Sequence, residues 1–473
     1  MSPKDQSTHL QIKDLLRWNS LYIFIYSAIS IVILWNLLLP GYIFTLDMIF
    51  APNYKFPSTF YGPKPGFTIL VDLLLHSASY IAPPWLLQKI IMFLILSLAG
   101  ISCHRLCPTE RLPGKYFAGL IYMLNPFVYT RFMVGQWTLL LAYALTPFVV
   151  KTMIDFFKEP NFQNSVKVSL LISLVAIFST QILFLLILVF LVFLITNLIR
   201  LKKPVTLFKH VGIISGSFIL LNIYWIAPAI TATTPPLAAI SYQDILAFSA
   251  RNWGTGFNIL FSLASMYGFW RLPEQYTYVS NVLPYWYILF FFILFLAVHG
   301  FSTKFKDSQI GRYVKSIGIL AGISLVLSTG ISSPYFSEIF TFLFDNIFFF
   351  SGFRDSQKLI LLLILAYAYL GGLGIDDLTK KVKISRADLN VKQIAAIFLV
   401  IIAIISPFVY SFNMLGGFNG QLTVKDYPED WYQVDDYLNQ QEGDFNILFF
   451  PWHQYMAFHW SERIIGNPRP KFL

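Results

Sequence analysis

The chain has 473 residues, 56% of them hydrophobic and only 12% charged, with a formal net charge of +10. Soluble domains carry about 25% charged residues, so there is too little polar sequence here to coat a water-soluble core of this size. The basic residues fall in short segments between long apolar runs rather than in one patch, which points to membrane topology and away from nucleic acid.

A helix needs about 20 mainly apolar residues to cross a hydrocarbon layer about 30 Å thick. Runs near that length recur from one end of the chain to the other. They predict an all-α polytopic membrane protein with eleven transmembrane helices, at 20–40, 87–103, 115–128, 138–157, 167–180, 182–199, 211–230, 282–301, 316–331, 358–375 and 393–412. The first follows a polar, basic N-terminal segment and lacks a small-residue cleavage site, so it reads as an uncleaved anchor. The stretch 167–199 is too long for one span and divides at its polar break, Ser179-Thr180-Gln181.

Orientation follows from lysine and arginine. With the N-terminus in the cytoplasm, the inside segments 1–19, 104–115, 151–167, 200–210, 302–315 and 376–392 hold 22 of the 34 basic residues. Eleven spans then leave the C-terminus outside, as expected for a multi-pass plasma-membrane protein. The larger segments 41–86, 231–281 and 332–357 are external as well. Within them, GFTILVDLLLHSASYIAPPW (Asp72, His76, Pro83-Pro84) reads as a helix lying in the membrane interface, and YFSEIFTFLFDNIFFF as an interfacial or re-entrant segment. Residues 1–412 form the multi-span domain. The external tail, 413–473, begins with a helix after Pro428, followed by FNILFFP as a buried strand. One helix and one strand cannot bury a core, so this small α/β segment is expected to be the truncated start of a further domain or to be completed by a partner.

Cys103 and Cys107 cannot furnish four zinc ligands by themselves, and no metal site is expected. Nor does a Lys, Arg, Asp or Glu sit at the centre of any predicted span, the usual mark of an ion path.

Four sets of polar residues gather at the outer ends of spans. Asp47 follows span one; a carboxylate suits deprotonation of a sugar hydroxyl, although a loop acid serves equally as a cap. Arg131, Gln136 and Trp137 lie in the short turn between spans three and four, where arginine can contact a lipid phosphate or anchor in the interface. Arg251 and Trp253, then Trp270 and Arg271, pair aromatic faces for a sugar with cations for a phosphate; the aromatics fit a headgroup belt equally. Arg354 and Lys358, four apart, would share one helix face and grip a lipid phosphate, with Asp355 orienting them; snorkelling at a helix end is the alternative. His453, in FPWHQYM, falls near an acceptor site or serves a structural role.

At these residues the sequence resembles the GT-C class of membrane glycosyltransferases, and most nearly the membrane domain of the large arabinofuranosyltransferases of actinobacterial cell walls. The similar stretches are YMLNPFVYTRFMVGQWTLLLAYALTPF, NILFSLASMYGFWR, SGFRDSQKLILLLILAYAYLGGLG and ILFFPWHQYMAF. The resemblance implies transfer of a sugar from a polyprenyl-phosphate carrier to a glycan or glycolipid acceptor at the outer membrane face, inverting, metal-independent and without cofactors. Asp47 matches the catalytic base by position. Arg354, Lys358 and Arg131 would hold the donor phosphate. Gln136, Trp137, Arg251, Trp253, Trp270, Arg271, Asp355 and His453 would line the sugar and acceptor sites. The family's extra carbohydrate-binding domains and the WWD-type signature of oligosaccharyltransferases are absent from this sequence. Two other readings remain: a transporter or flippase of lipid-linked sugars, which would use the same phosphate-binding residues but need no base, and a non-catalytic glycan-assembly subunit whose tail docks a partner and which would not depend on Arg354.

Overall fold

A computed structural model describes residues 20–52, 68–198, 204–231, 240–252, 258–271, 285–380, 391–443, 447–448, 450, 453–461 and 463–467. The architecture of the described residues is mainly helical. After α1 (Ser20–Leu37) come α2 (Ile69–Ser79), α3 (Pro84–Leu106), α4 (Leu112–Met123), α5 (Pro126–Met133), α6 (Trp137–Lys158), α7 (Phe162–Phe178), α8 (Thr180–Leu198) and α9 (Pro204–Thr231). Short α10 (Tyr242–Ala247) and α11 (Ile259–Ala264) precede α12 (Trp286–Lys304), α13 (Gly311–Ser328), α14 (Ser337–Asn346), α15 (Leu361–Lys380) and α16 (Val391–Tyr410).

Among the described residues, nine helical segments are long and apolar enough to cross a membrane: α1, α3, α6, α8, α9, α12, α13, the Ser356–Lys380 segment and α16. The remaining two of the eleven expected spans are shorter. The break in 167–199 falls at Ser179, whose extended backbone ends α7 after 17 residues. The span expected at 115–128 stops at Met123. Asn125 then restarts the chain as α5: its side chain accepts from the Val128 N–H at 3.0 Å, and Pro126 fills the first helical position.

The Ser356–Lys380 segment is the axis of the bundle, with nearly every side chain covered by neighbouring helices, whereas α9 shows most of its surface outward. Without water to drive apolar helices together in lipid, close backbone approach matters more. Gly300 of α12 and Gly374 of α15 provide it. A Cβ on Gly300 would lie 1.9 Å from the Leu370 carbonyl oxygen, and one on Gly374 would lie 2.1 Å from that of Leu296.

The tail folds back onto the segment after α1. Strand β1 (Tyr42–Ile43) pairs antiparallel with β2 (Val424–Lys425), and β3 (Tyr455–Ala457) with β4 (Ile464–Gly466). Tyr427 donates to the Phe50 carbonyl at 3.0 Å, and the Gly466 N–H to that of Leu46 at 2.8 Å. Phe44, Tyr427, Trp431, Phe458 and Trp460 close an aromatic cluster between them. The helix after Pro428 forms as expected, at Glu429–Asn439 with two acids in its first turn. Of FNILFFP, expected as a buried strand, Leu448 and Phe450 are irregular and 82% and 69% exposed, and residues 445, 446, 449 and 451 lie outside the described residues. The aromatics of the described tail pack on the 42–50 segment and, through Phe418, on α5.

Candidate functional site

Asp47 is placed by two turns that touch. Its N–H donates to the Val134 carbonyl at 2.9 Å, joining the loop after α1 to the end of α5. Gly135 makes this approach possible: its φ is +77°, and a Cβ there would sit 1.9 Å from Thr45 Oγ1. Asp47 is thereby set beside Gln136 and the start of α6. From the tail, Tyr455 donates its hydroxyl to Asp47 Oδ1 at 3.0 Å. Burial first, and the neighbouring Asp47 carboxylate second, push the Tyr455 phenol well above the usual tyrosine range. It therefore remains a neutral donor at physiological pH.

Two cavities meet at this point, with volumes of about 570 and 280 Å³. Asp47, Gln136 and Lys358 line both of them. The larger has a mainly apolar wall, with Val71 of α2, Trp137 and Leu139 of α6, and Ile177 and Phe178 of α7; Asp72, Thr180 and Gln181 add polar groups. The smaller is polar, lined by Asp244, Trp270, Arg271, Arg354 and Tyr455 among others. Arg354 lies over the Phe248 ring at 4.3 Å, and Arg271 over the Trp270 ring at 4.6 Å. Asp244 belongs to a capping box at the start of α10: hydrogen bonds from the Ser241 N–H and hydroxyl, each 2.8 Å, hold its carboxyl below the usual range.

The segment carrying Arg354 and Lys358 is not one α-helix face. Asp355 has φ −87° and ψ 84°, which interrupts the helix, and Ser356–Ile360 is a 3-10 turn. Both cations nonetheless reach the smaller cavity, because the turn is clamped from behind. Ser356 donates to the Ser328 carbonyl at 2.8 Å, Gln357 to that of Tyr267 at 3.1 Å, and Ser324 to that of Leu359 at 2.6 Å. Neither the Lys358 ammonium nor the Arg354 guanidinium makes a hydrogen bond or ion pair with protein among the described residues. Lys358 lies in the combined field of Asp355, Arg131, Asp47 and Arg354.

Arg131 requires a correction. The sequence places it in a short external turn, contacting a lipid phosphate or anchoring in the interface. It lies on α5 and is 0% exposed, enclosed by Phe127, Phe269 and the Asp355–Gln357 turn, while the tail packs on the neighbouring Tyr129 and Phe132 through Gln421 and Phe418. Its guanidinium makes two hydrogen bonds to Asp355, at 2.5 and 3.2 Å, with others to Gln136 (2.9 Å) and Gln357. Phe127 and Phe269 sandwich it, with ring centroids 5.0 and 4.9 Å away. Its charge is already matched by Asp355, so it holds the Asp355–Gln357 turn rather than a ligand. Asp355, 2% exposed, is correspondingly the anchor of that turn although it touches the cavity edge.

The remaining expected residues divide. Trp137 lines the larger cavity, its ring 5.7 Å from that of Phe50, and Trp270 and Arg271 line the smaller. Arg251 is exposed and lines neither cavity; His453 is exposed, and its carbonyl accepts from Asn467 at 3.2 Å. Trp253 lies outside the described residues. Asp72, Asp244, Gln181 and Tyr455 were not among the expected site residues. An acid on an otherwise apolar helix was a usable signal for Asp72. Nothing local marks Tyr455, which arrives from a residue separation of 408.

No protein-family model matches this sequence, and no curated protein is significantly similar to it.

Proposed function

We propose that the protein is an integral-membrane glycosyltransferase of GT-C type, which moves a sugar from a polyprenyl-phosphate carrier to a glycan or glycolipid acceptor at the external membrane face. The observation that carries this reading is the shared boundary of the two cavities. A half-buried carboxylate, Asp47, and an unpaired ammonium, Lys358, both line the apolar cavity and the polar one.

The larger cavity, with Val71, Ile177 and Phe178 in its wall, suits the prenyl-linked donor. The smaller, with Trp270, Arg271 and Asp244, suits a polyhydroxylated ring. The acceptor oxygen bonds to the anomeric carbon from the face opposite the phosphate. The carbon–oxygen bond to phosphate breaks, its electron pair leaves with the polyprenyl phosphate, and configuration inverts. The acceptor hydroxyl proton goes to Asp47. Lys358 and Arg354 balance the charge on the departing phosphate, and neither is held in a hydrogen bond or close ion pair with protein among the described residues. Tyr455 fixes the Asp47 carboxylate through one oxygen.

The test is transfer itself. Membranes containing the full chain are offered a panel of labelled polyprenyl-phosphate sugars and a glycolipid acceptor extract, and wild type is compared with Asp47→Asn. The expected result is a labelled product in wild type alone. Equal transfer by both removes Asp47 from its role. Movement of the donor between leaflets without any transferred product replaces this reading with a flippase.

A further inference from the structure

The basic loops converge at the other end of the bundle. Trp137 opens α6 at the candidate site, and Lys158 closes it 21 residues later, about 32 Å away at 1.5 Å per residue. Near that far end is a cavity of about 270 Å³, lined by Arg105 at the end of α3, Lys151, Asp155 and Lys158 of α6, Gln309 between α12 and α13, and Tyr369 of α15. It adjoins a second depression, with which it shares Pro108, Gln309 and Ile310.

Three features distinguish it from a scatter of surface lysines. Lys151 is neutralised by Asp155 at 2.8 Å, whereas Arg105 and Lys158 have no side-chain ion pair or hydrogen bond among the described residues. The cavity therefore carries two uncompensated positive charges. Its inner wall is Tyr369, only 1% exposed. Among the described residues the Tyr369 hydroxyl has no hydrogen-bond partner, although the neighbouring Tyr313 hydroxyl has one, the Ile154 carbonyl at 3.3 Å. An unused donor at the inner wall, beneath two unpaired cations, is complementary to an oxyanion.

We propose that this cavity is a phosphate-group site, in which Tyr369 donates a hydrogen bond, Gln309 supplies an amide donor at the mouth, and Arg105 and Lys158 balance the charge. The phosphate belongs either to an anionic phospholipid of the adjoining leaflet or to a soluble phosphoester, and both offer the same oxyanion. The site does not depend on the reaction assigned to the opposite end.

The test uses the purified full chain and reads thermal stabilisation. One arm titrates inorganic phosphate in detergent; the other raises the phosphatidylglycerol fraction in phosphatidylcholine nanodiscs. Wild type is expected to be stabilised in at least one arm, the phosphate arm pointing to a soluble ligand and the phosphatidylglycerol arm alone to a lipid. Arg105→Gln with Lys158→Gln should raise the half-maximal concentration at least tenfold. Tyr369→Phe should raise it severalfold while leaving the unliganded melting temperature unchanged or higher, since it removes an unpartnered hydroxyl. Lys304→Gln with Lys380→Gln, which alters basic groups lining only the adjoining depression, should leave the response intact. The proposal is overturned by stabilisation in neither arm, or by Lys304→Gln with Lys380→Gln weakening the response as much as the cavity variants, which would mark diffuse surface charge.

Discussion

Arg131 and Arg354 meet the same short turn from opposite sides and have opposite surroundings. Arg131 is closed in: two aromatic faces, a carboxylate and two amide oxygens surround it, and no surface is left. Arg354, one residue before the carboxylate that Arg131 holds, lies half-buried on a single ring, and with Lys358 it faces a cavity. The closed side spends its charges on holding the chain, and the open side keeps them for something else. A buried ion pair is costly to assemble, since desolvation offsets much of the attraction. Its value here is placement, because it fixes the turn that presents the two free cations.

The two sides should therefore break differently. The largest effect is expected on the open side, where Asp47→Asn should lower transfer by about 10²–10⁴-fold, the usual range for a lost general base, with the melting temperature unchanged. Next, Arg131→Met should destabilise the fold by about 3–5 kcal/mol, because it strands the Asp355 charge in a dry site. The double variant Arg131→Met with Asp355→Leu should regain most of that loss while transfer stays low, because the turn is no longer held in register. Recovery of transfer along with stability would show that the pair matters for folding alone. Denaturant unfolding in detergent and the transfer assay, run on the same preparations, separate the two outcomes.

That contrast was only partly legible in the sequence. The apolar runs predict the helices because a bilayer imposes length and composition together. The division at Ser179 could be read because three polar residues interrupt an otherwise continuous run. Asp47, Lys358 and Arg354 could be proposed as partners because each ends an apolar run on the same expected side. The fate of Arg131 could not be read. Its burial depends on Phe269 and the Asp355–Gln357 turn closing over α5, and its counter-ion lies 224 residues away. The expected span over 115–128 ran through Asn125-Pro126, where the structure shows the side-chain cap and proline that restart the helix. Tyr455 illustrates the same limit from the other direction, since pairing of strands this short is set by tertiary contacts rather than by any local pattern.

Within the open side, Lys358 and Arg354 should rank. Lys358 borders both cavities, whereas Arg354 borders one and rests on Phe248. Lys358→Gln should lower kcat for transfer by about 10²-fold, as expected for removal of one preorganised charge at a developing anion, and Arg354→Gln by about tenfold. Equal losses, or a rise in KM alone with kcat unchanged, would mean that these groups bind the donor uniformly rather than its departing phosphate.

The smallest effect should come from Tyr455. Tyr455→Phe removes one hydrogen bond to a charged acceptor while keeping the ring, and should cost transfer less than tenfold at neutral pH. Its sharper signature lies in alkali. An unperturbed tyrosine ionises near pH 10, but burial and the Asp47 charge place the folded-state value higher. Folding thus favours the protonated phenol. The stability linked to it is fully present below about pH 10 and is lost as pH rises from there through the folded value. Above that point two negative charges would face each other across 3.0 Å, and the β3–β4 hairpin should lift from Asp47. Wild type should therefore lose transfer in strong alkali with a midpoint above that of free tyrosine, in step with the phenolate absorbance change. Tyr455→Phe should lack that step. An alkaline limb that survives the substitution would assign the loss to another group and leave Tyr455 a packing residue.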